Sequence, residues 1–285
     1  MGVAVGKLLE GYRDQVEKVL EEAIPSFGAT GKLQEAIGYA LKNGGKRFRP
    51  AIVLMVARAL GGKSEVSDAA LAVEYFHTAS LIADDLPCMD DDDERRGVPS
   101  LHKAFNEATA LLASYALISA GFDRIRANSE TIGDAKRGLL AIENASYNTG
   151  IFGAVGGQYD DLFPPKPTEE TILAVMDKKT GTLFEISFVL GWLFGGGDIE
   201  ALDDVKRLST HFGRAFQITD DFLDLDDEDG MNLPRIVGHE RAYALLSSEI
   251  SQLKGKLKML GLQLPEFLLL VEEMESRVPS SPFCV

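Results

Sequence analysis

The sequence has little cysteine, no surplus of positive charge and no long apolar run, and each shortage excludes something. Two cysteines in 285 residues, Cys88 and Cys284, cannot build a disulfide framework, which points to a reducing compartment, the cytoplasm. With 29 Lys and Arg against 44 Asp and Glu the formal charge is −15. Nucleic acid and anionic membrane surfaces both demand basic patches that such a chain does not offer. The longest uncharged apolar stretch, Ile186 to Phe194, falls short of the roughly 20 residues that span a bilayer, so no membrane insertion is expected. The N-terminus carries charge at once (Lys7, Glu10, Arg13, Asp14), unlike a secretory signal, and Gly6 stands where myristoylation at Gly2 would need Ser or Thr. Alternating apolar and polar residues, fixed-period repeats and low-complexity tracts are lacking as well.

What is present is helical periodicity over 45% hydrophobic residues. Apolar residues recur at helical spacing from Leu8 to Ile24, where Pro25 stops them, and from Leu33 to Leu41, closed by Asn43-Gly44-Gly45. Pro50 opens a third helix, Ala51 to Leu60, and Ser67 or Asp68 caps a long one through Asp85, broken by Pro87. Further helices are expected over 101–127, 131–159, 168–194, 198–225, 238–258 and 264–276. Pro164 to Pro167 and Gly195 to Gly197 are too short to be domain linkers. The pattern predicts one all-α domain over residues 1–285, a large bundle, with 278–285 as a disordered tail.

Two acidic clusters interrupt the helices. In Asp84-Asp85-Leu86-Pro87-Cys88-Met89-Asp90, two carboxylates sit at the unfavourable end of a helix dipole, directly after the apolar run Ala79 to Ala83. Pro87 lets the chain fold back and bring Asp90 beside Asp84. Far along the chain, Gln217, Asp220 and Asp224 share one helical face, next to Asp221 and among Phe216, Ile218, Phe222 and Leu223. Like charges emerging from apolar surroundings need a cation, and hard oxygen ligands suit Mg2+. A shared cluster of such ions can hold a diphosphate as a leaving group.

Gly44-Gly45-Lys46-Arg47-Phe48-Arg49-Pro50 is the densest basic cluster. It is either a solvated loop between helices or an anion pocket at the helix start, with Lys46 and Arg49 supplying charge. His77 lies two helical turns before Asp84, Arg95 and Arg96 follow the acidic run, and Lys178-Lys179-Thr180 is a weaker candidate, for bracketing the leaving diphosphate.

Taken in order, these segments resemble the trans-prenyltransferases, or polyprenyl synthetases, of the farnesyl and geranylgeranyl diphosphate synthase type. The matching residues are 44–50, His77, the first aspartate motif with Arg95-Arg96, Gly156-Gly157-Gln158 with Asp161, Lys179-Thr180, and Phe216 through Asp224. They cover about residues 30 to 245. The resemblance implies the isoprenoid synthase fold, a helical bundle around a central apolar cavity, usually as a homodimer. It implies three Mg2+ ions, two on Asp84 and Asp90 and a third on Asp220, with Asp85, Asp221 and Asp224 in support. Lys46, Arg49, His77 and Arg96 would hold isopentenyl diphosphate. Arg95, Lys179 and the metal would hold the allylic diphosphate (dimethylallyl, geranyl or farnesyl). Thr180 and Gln217 would stabilise an allylic carbocation, which isopentenyl diphosphate attacks before the released pyrophosphate takes the proton.

Within the resemblance, bulk beneath the first motif sets product length. Ala79 and Ser80 are small and leave room, which together with Pro87-Cys88 points to the C20 product, geranylgeranyl diphosphate, ahead of C15 farnesyl diphosphate. Two departures stand out. The Gly-Lys and the further Lys expected in a loop after Asp224 are missing, and Ala113-Ser114-Tyr115 replaces a Gly-Asp pair, with Tyr115 at either the tunnel floor or the dimer surface. A class I terpene cyclase would need only one anion site. A non-catalytic partner subunit would explain the short loop but not the retained aspartates.

Overall fold

A computed structural model describes residues 3–28, 31–164, 166–225 and 231–278, with only the backbone at 3–5, 7 and 8. Its elements are α1 (Val3–Ala23), α2 (Lys32–Lys42), α3 (Phe48–Ala59), α4 (Ser67–Asp84), a ribbon of β1 (Glu94–Arg95) and β2 (Val98–Pro99), then α5 (Leu101–Ala104), α6 (Glu107–Ile132) and α7 (Ala135–Thr149). The chain continues through α8 (Ala154–Leu162), α9 (Glu169–Met176), α10 (Thr182–Phe194), α11 (Leu202–Leu223), α12 (Leu233–Val237), α13 (His239–Met259) and α14 (Pro265–Ser276). Among the described residues the chain is all-α apart from that ribbon.

The arrangement follows from which helices are apolar all round. Every residue of α10 except Glu185 is buried, so this helix forms the centre, and α3, α4, α7 and α11 pack against it. Helix α11 is instead amphipathic, with Leu202, Val205, Leu208, Phe212, Ala215, Ile218 and Phe222 buried at helical spacing. Phe184, Phe188 and Phe212 interlock edge to face at the α10–α11 contact, with centroids 5.1 and 5.4 Å apart.

Several expected helices prove to be interrupted. The span 101–127 is broken at Asn106, whose side chain accepts the Thr109 amide and starts α6 anew. The span 131–159 is three pieces: α6 ends at left-handed Gly133, Asp134 caps α7, and Gly150 to Gly153 separates α7 from α8. A wide π-helical turn, Asp177–Gly181, splits 168–194. The β ribbon and α12 stand where no element was expected.

The loop lacking the expected lysines falls largely on residues 226–230, outside the described residues, as does 279–285 with Cys284. The flanks of that loop are fixed: Asn232 Nδ2 donates to the Asp221 carbonyl at 2.6 Å, and the Leu233 amide donates to the Asp221 carboxylate at 2.8 Å. No helix among the described residues is long and apolar enough to cross a membrane.

Candidate active site

Helix α4 ends in a tight reversal: the Met89 amide donates to the Leu86 carbonyl at 2.8 Å, and the Asp90 amide to the Asp84 carbonyl at 2.9 Å. Asp90 thus lies beside Asp84, as Pro87 led us to expect. Burial pushes the Asp84 carboxyl up to about 7, Lys179 draws it down, and Asp90 and Asp85 push it up again. Burial also raises Asp90, with Asp161 and Asp92 adding to the rise and Lys179 and Arg95 opposing it. Asp85 turns elsewhere. Its buried carboxylate accepts from Arg95 Nε at 2.8 Å and from Arg95 Nη2, which also reaches Asp92 at 2.9 Å. Asp85 and Arg95 therefore brace the turn as a pair, and the cation at the helix C-terminus offsets the dipole.

The π-helical turn connects this wall to the other. Lys179 Nζ bonds Asp161 of α8 at 2.5 Å, and Lys178 Nζ bonds Asp160 at 2.7 Å. The next residue, Thr180, donates through Oγ1 to Gln217 Oε1 of α11 at 2.8 Å. Adjacent side chains thus reach the two aspartate clusters, Lys179 acting on Asp84 and Asp90, and Thr180 bonded one turn before Asp220. Such wide turns recur at functional sites because they re-aim side chains within a helix. This one is held by Gly157, where a β-carbon would lie 2.6 Å from the Lys179 amide nitrogen.

On α11, Gln217 Nε2 donates to Asp221 Oδ1 at 3.0 Å. Asp221 is buried and has its backbone partners at 232–233, whereas Asp224 is exposed at the helix end. Burial raises Asp220 to about 6, with Lys46 and Arg277 lowering it and Asp224 and Asp221 raising it.

A cavity of about 510 Å³ is lined by Lys46, Arg49, His77, Arg96, Asp220 and Arg277, with Phe48 and Phe216. All four residues expected to hold isopentenyl diphosphate are brought together here. Arg49 Nε is buried with no partner among the described residues, its guanidinium 4.7 Å over the Phe184 ring. Burial lowers Arg49 to about 10, against the pull of Glu74 and Asp220. Burial and then Arg49, Arg96, Arg47 and Arg95 hold His77 well below its ordinary range, so it is neutral. Arg96 donates to the Gly44 carbonyl and lies against Gly45, whose φ of 123° and lack of a β-carbon make room for it. Arg47 also borders the cavity, but its guanidinium is spent on fixing the loop, bonding Glu74 at 2.5 Å, Glu17 at 2.7 Å and the Leu41 carbonyl at 2.5 Å.

A second cavity, about 430 Å³ and mainly apolar, opens beside Asp84 and Lys179. Ala79 and Ser80 line it, and so do Phe76, Ser114, Gln158, Tyr159 and Phe163. Ser114 Oγ donates to the Ala79 carbonyl at 2.9 Å, locking α6 to α4. Tyr115 is 59% exposed, which places it on the outer surface and not at the cavity floor. Arg277 and Phe76 carried no sequence signal, and Asp161 was only a matching position until Lys179 was found on it.

A family model, polyprenyl synthetase, matches residues 30–234. The chain belongs to the polyprenyl synthetase family. Similar relatives include geranylgeranyl pyrophosphate synthase 4 of Arabidopsis thaliana, 34% identical over 82% of this chain and 63% of the relative's length. The farnesyl diphosphate synthase of Geobacillus stearothermophilus is 38% identical over 79% of this chain and 76% of its own. The crystal structure of an FPP/GFPP synthase from Zymomonas mobilis superposes with a TM-score of 0.81 at 29% identity, covering 96% of this polyprenyl synthetase and all of that chain. The fold is that of the isoprenoid synthases.

Proposed function

We propose that the chain is a Mg2+-dependent trans-prenyltransferase that joins isopentenyl diphosphate head-to-tail to an allylic diphosphate, giving geranylgeranyl diphosphate and pyrophosphate. The observation that carries this reading is the adjacency of Lys179 and Thr180: Lys179 acts on Asp84 beside the apolar cavity, while the next side chain bonds Gln217, one turn before Asp220 in the second cluster. A separate basic cavity gives the second anion site that a condensing enzyme needs and a cyclase does not.

The residues fit the metal. Asp84 and Asp220 are hard oxygen donors pushed toward neutrality by burial, and a cation removes that cost. Asp84, Asp90 and Asp220 would hold three Mg2+ ions, Asp224 in support, while Asp85 and Asp221 position their neighbours. Mg2+ supplies Lewis acidity to the departing diphosphate. Lys179 and Arg95 hold the allylic diphosphate. Lys46, Arg49 and Arg96 hold isopentenyl diphosphate, and neutral His77 offers it a hydrogen bond without adding charge. The Thr180 and Gln217 oxygens face the developing carbocation, and the apolar walls exclude water.

Small Ala79 and Ser80 support the C20 product. Phe76, one turn deeper in the same cavity, favours C15 farnesyl diphosphate as the second reading. Exposed Leu112 and Tyr115 on α6, with Leu139 and Tyr147 on α7, support a homodimer, and the two-cysteine composition a cytoplasmic one. The test supplies purified protein with Mg2+, isopentenyl diphosphate and dimethylallyl, geranyl or farnesyl diphosphate in turn. Geranylgeranyl diphosphate as the end product is expected by chromatography; no elongation from any primer would sink the proposal.

A further inference from the structure

Outside both cavities, Asp91, Asp93 and His102 each bring a ligand atom to within 4.8 Å of the others. The aspartates are exposed, but His102 is only 7% exposed. The ribbon explains the meeting. Asp93 immediately precedes β1, and its carbonyl accepts the Ser100 amide at 2.9 Å, one pair beyond Glu94 and Pro99. His102 follows two residues later, in α5. Its Nδ1 lies 3.1 Å from Ser100 Oγ, while Nε2 is buried with no hydrogen-bond partner among the described residues. A buried imidazole nitrogen left unpaired is costly. With the proton on Nδ1 and donated to Ser100, Nε2 carries a free lone pair, the tautomer that metal-binding histidines adopt. Lys103 Nζ bonds one Asp93 oxygen at 2.7 Å, leaving the other.

We propose that Asp91, Asp93 and His102 bind one first-row divalent transition ion, of the Zn2+ or Co2+ class. An imidazole with two carboxylates suits such borderline ions, whereas the all-oxygen set of Asp84, Asp90 and Asp220 suits Mg2+. The ion would close the open end of the ribbon that carries Arg95 and Arg96. It would thereby hold Arg95 on Asp85 and Arg96 at Gly44 from outside the site. The assignment does not depend on the prenyltransferase reading.

The test is a Co2+ titration of the full chain in saturating Mg2+, followed by its visible absorption. One Co2+ per chain with a nitrogen-containing ligand set, displaced by Zn2+, is expected. His102→Gln and Asp93→Asn should each weaken binding about 100-fold, and Ser100→Ala, which acts through the His102 tautomer, roughly tenfold. Should His102→Gln fail to fold by circular dichroism, Asp93→Asn on the exposed side of the site carries the test. Co2+ binding unchanged in Asp93→Asn and Ser100→Ala, binding lost instead in Asp84→Asn or Asp220→Asn, or no Co2+ bound would each overturn the proposal.

Discussion

Gly157 of α8 abuts the backbone of Lys179 so closely that a β-carbon would lie 2.6 Å from its amide nitrogen and 2.8 Å from the Lys178 carbonyl carbon. The π-helical turn is thus held from outside by a residue with no side chain. Gly157→Ala should displace Lys179 and Thr180 together and lower kcat roughly 100-fold, since an ångström of misplacement costs about that much. Helical circular dichroism should be retained. Steady-state kinetics with Gly157→Ala near the wild-type rate would show that the turn's position is immaterial.

Asp84→Asn should abolish turnover yet stabilise the metal-free protein. The folded chain keeps the Asp84 proton up to about pH 7, while the unfolded chain releases it near 3.8. Stability therefore falls as pH rises between those values, because the folded state binds more protons there. Asparagine removes that loss, on the order of 4 kcal/mol at pH 8 and little of it at pH 4. Thermal melts at both pH values, with EDTA present, distinguish this from a uniform effect.

Mg2+ affinity should rise steeply between pH 6 and 8 and level off above. Asp84 and Asp220, held at about 7 and about 6, must lose their protons to bind it. Calorimetric titrations in two buffers of different ionisation enthalpy should show proton release at pH 6.5 that vanishes at pH 8.5. Equal heats in both buffers at pH 6.5 would contradict the raised values.

Phe76→Ala should lengthen the product. The Phe76 ring lines the apolar cavity with Ala79 and Ser80 and rests against Phe122, centroids 5.1 Å apart. Removing it extends the cavity without touching the carboxylates, so the rate should hold while chromatography shifts by at least one isoprene unit. An unchanged product would place the cavity floor elsewhere.

Arg47 and Glu74 form a buried ion pair, both side chains almost fully enclosed. Arg47→Leu should cost about 3–5 kcal/mol, because it strands Glu74 in the core. Arg47→Met with Glu74→Leu should recover most of that in denaturant unfolding. Equal losses in the single and double variants would mean the charge itself is needed.

Much of this was legible because its causes are local. Pro87 forces the reversal that sets Asp90 beside Asp84, and the i, i+4 spacing puts Asp220 and Asp224 on one face. The gathering of Lys46, Arg49, His77 and Arg96 came from order along the chain, through the family resemblance. What escaped depends on distant partners. The π turn has no composition of its own, and the close approach of α8 to it depends on Gly157 having no side chain. Arg277 reaches the basic cavity from just beyond the last helix, more than two hundred residues from Lys46. Phe76 reads as ordinary core until the cavity beside it is seen. Asn106 is a helix cap within a stretch whose periodicity runs on, and Gly133 lies between two helices of similar pattern.

The clasp of Asn232 and Leu233 on Asp221 has a practical consequence for engineering. Because Asn232 and Leu233 are tied to Asp221, replacements at positions 226–230 can be tried with that tie as a fixed reference. A lysine-bearing insert could be grafted there, turning the lysines that the family resemblance led one to expect into a switchable part.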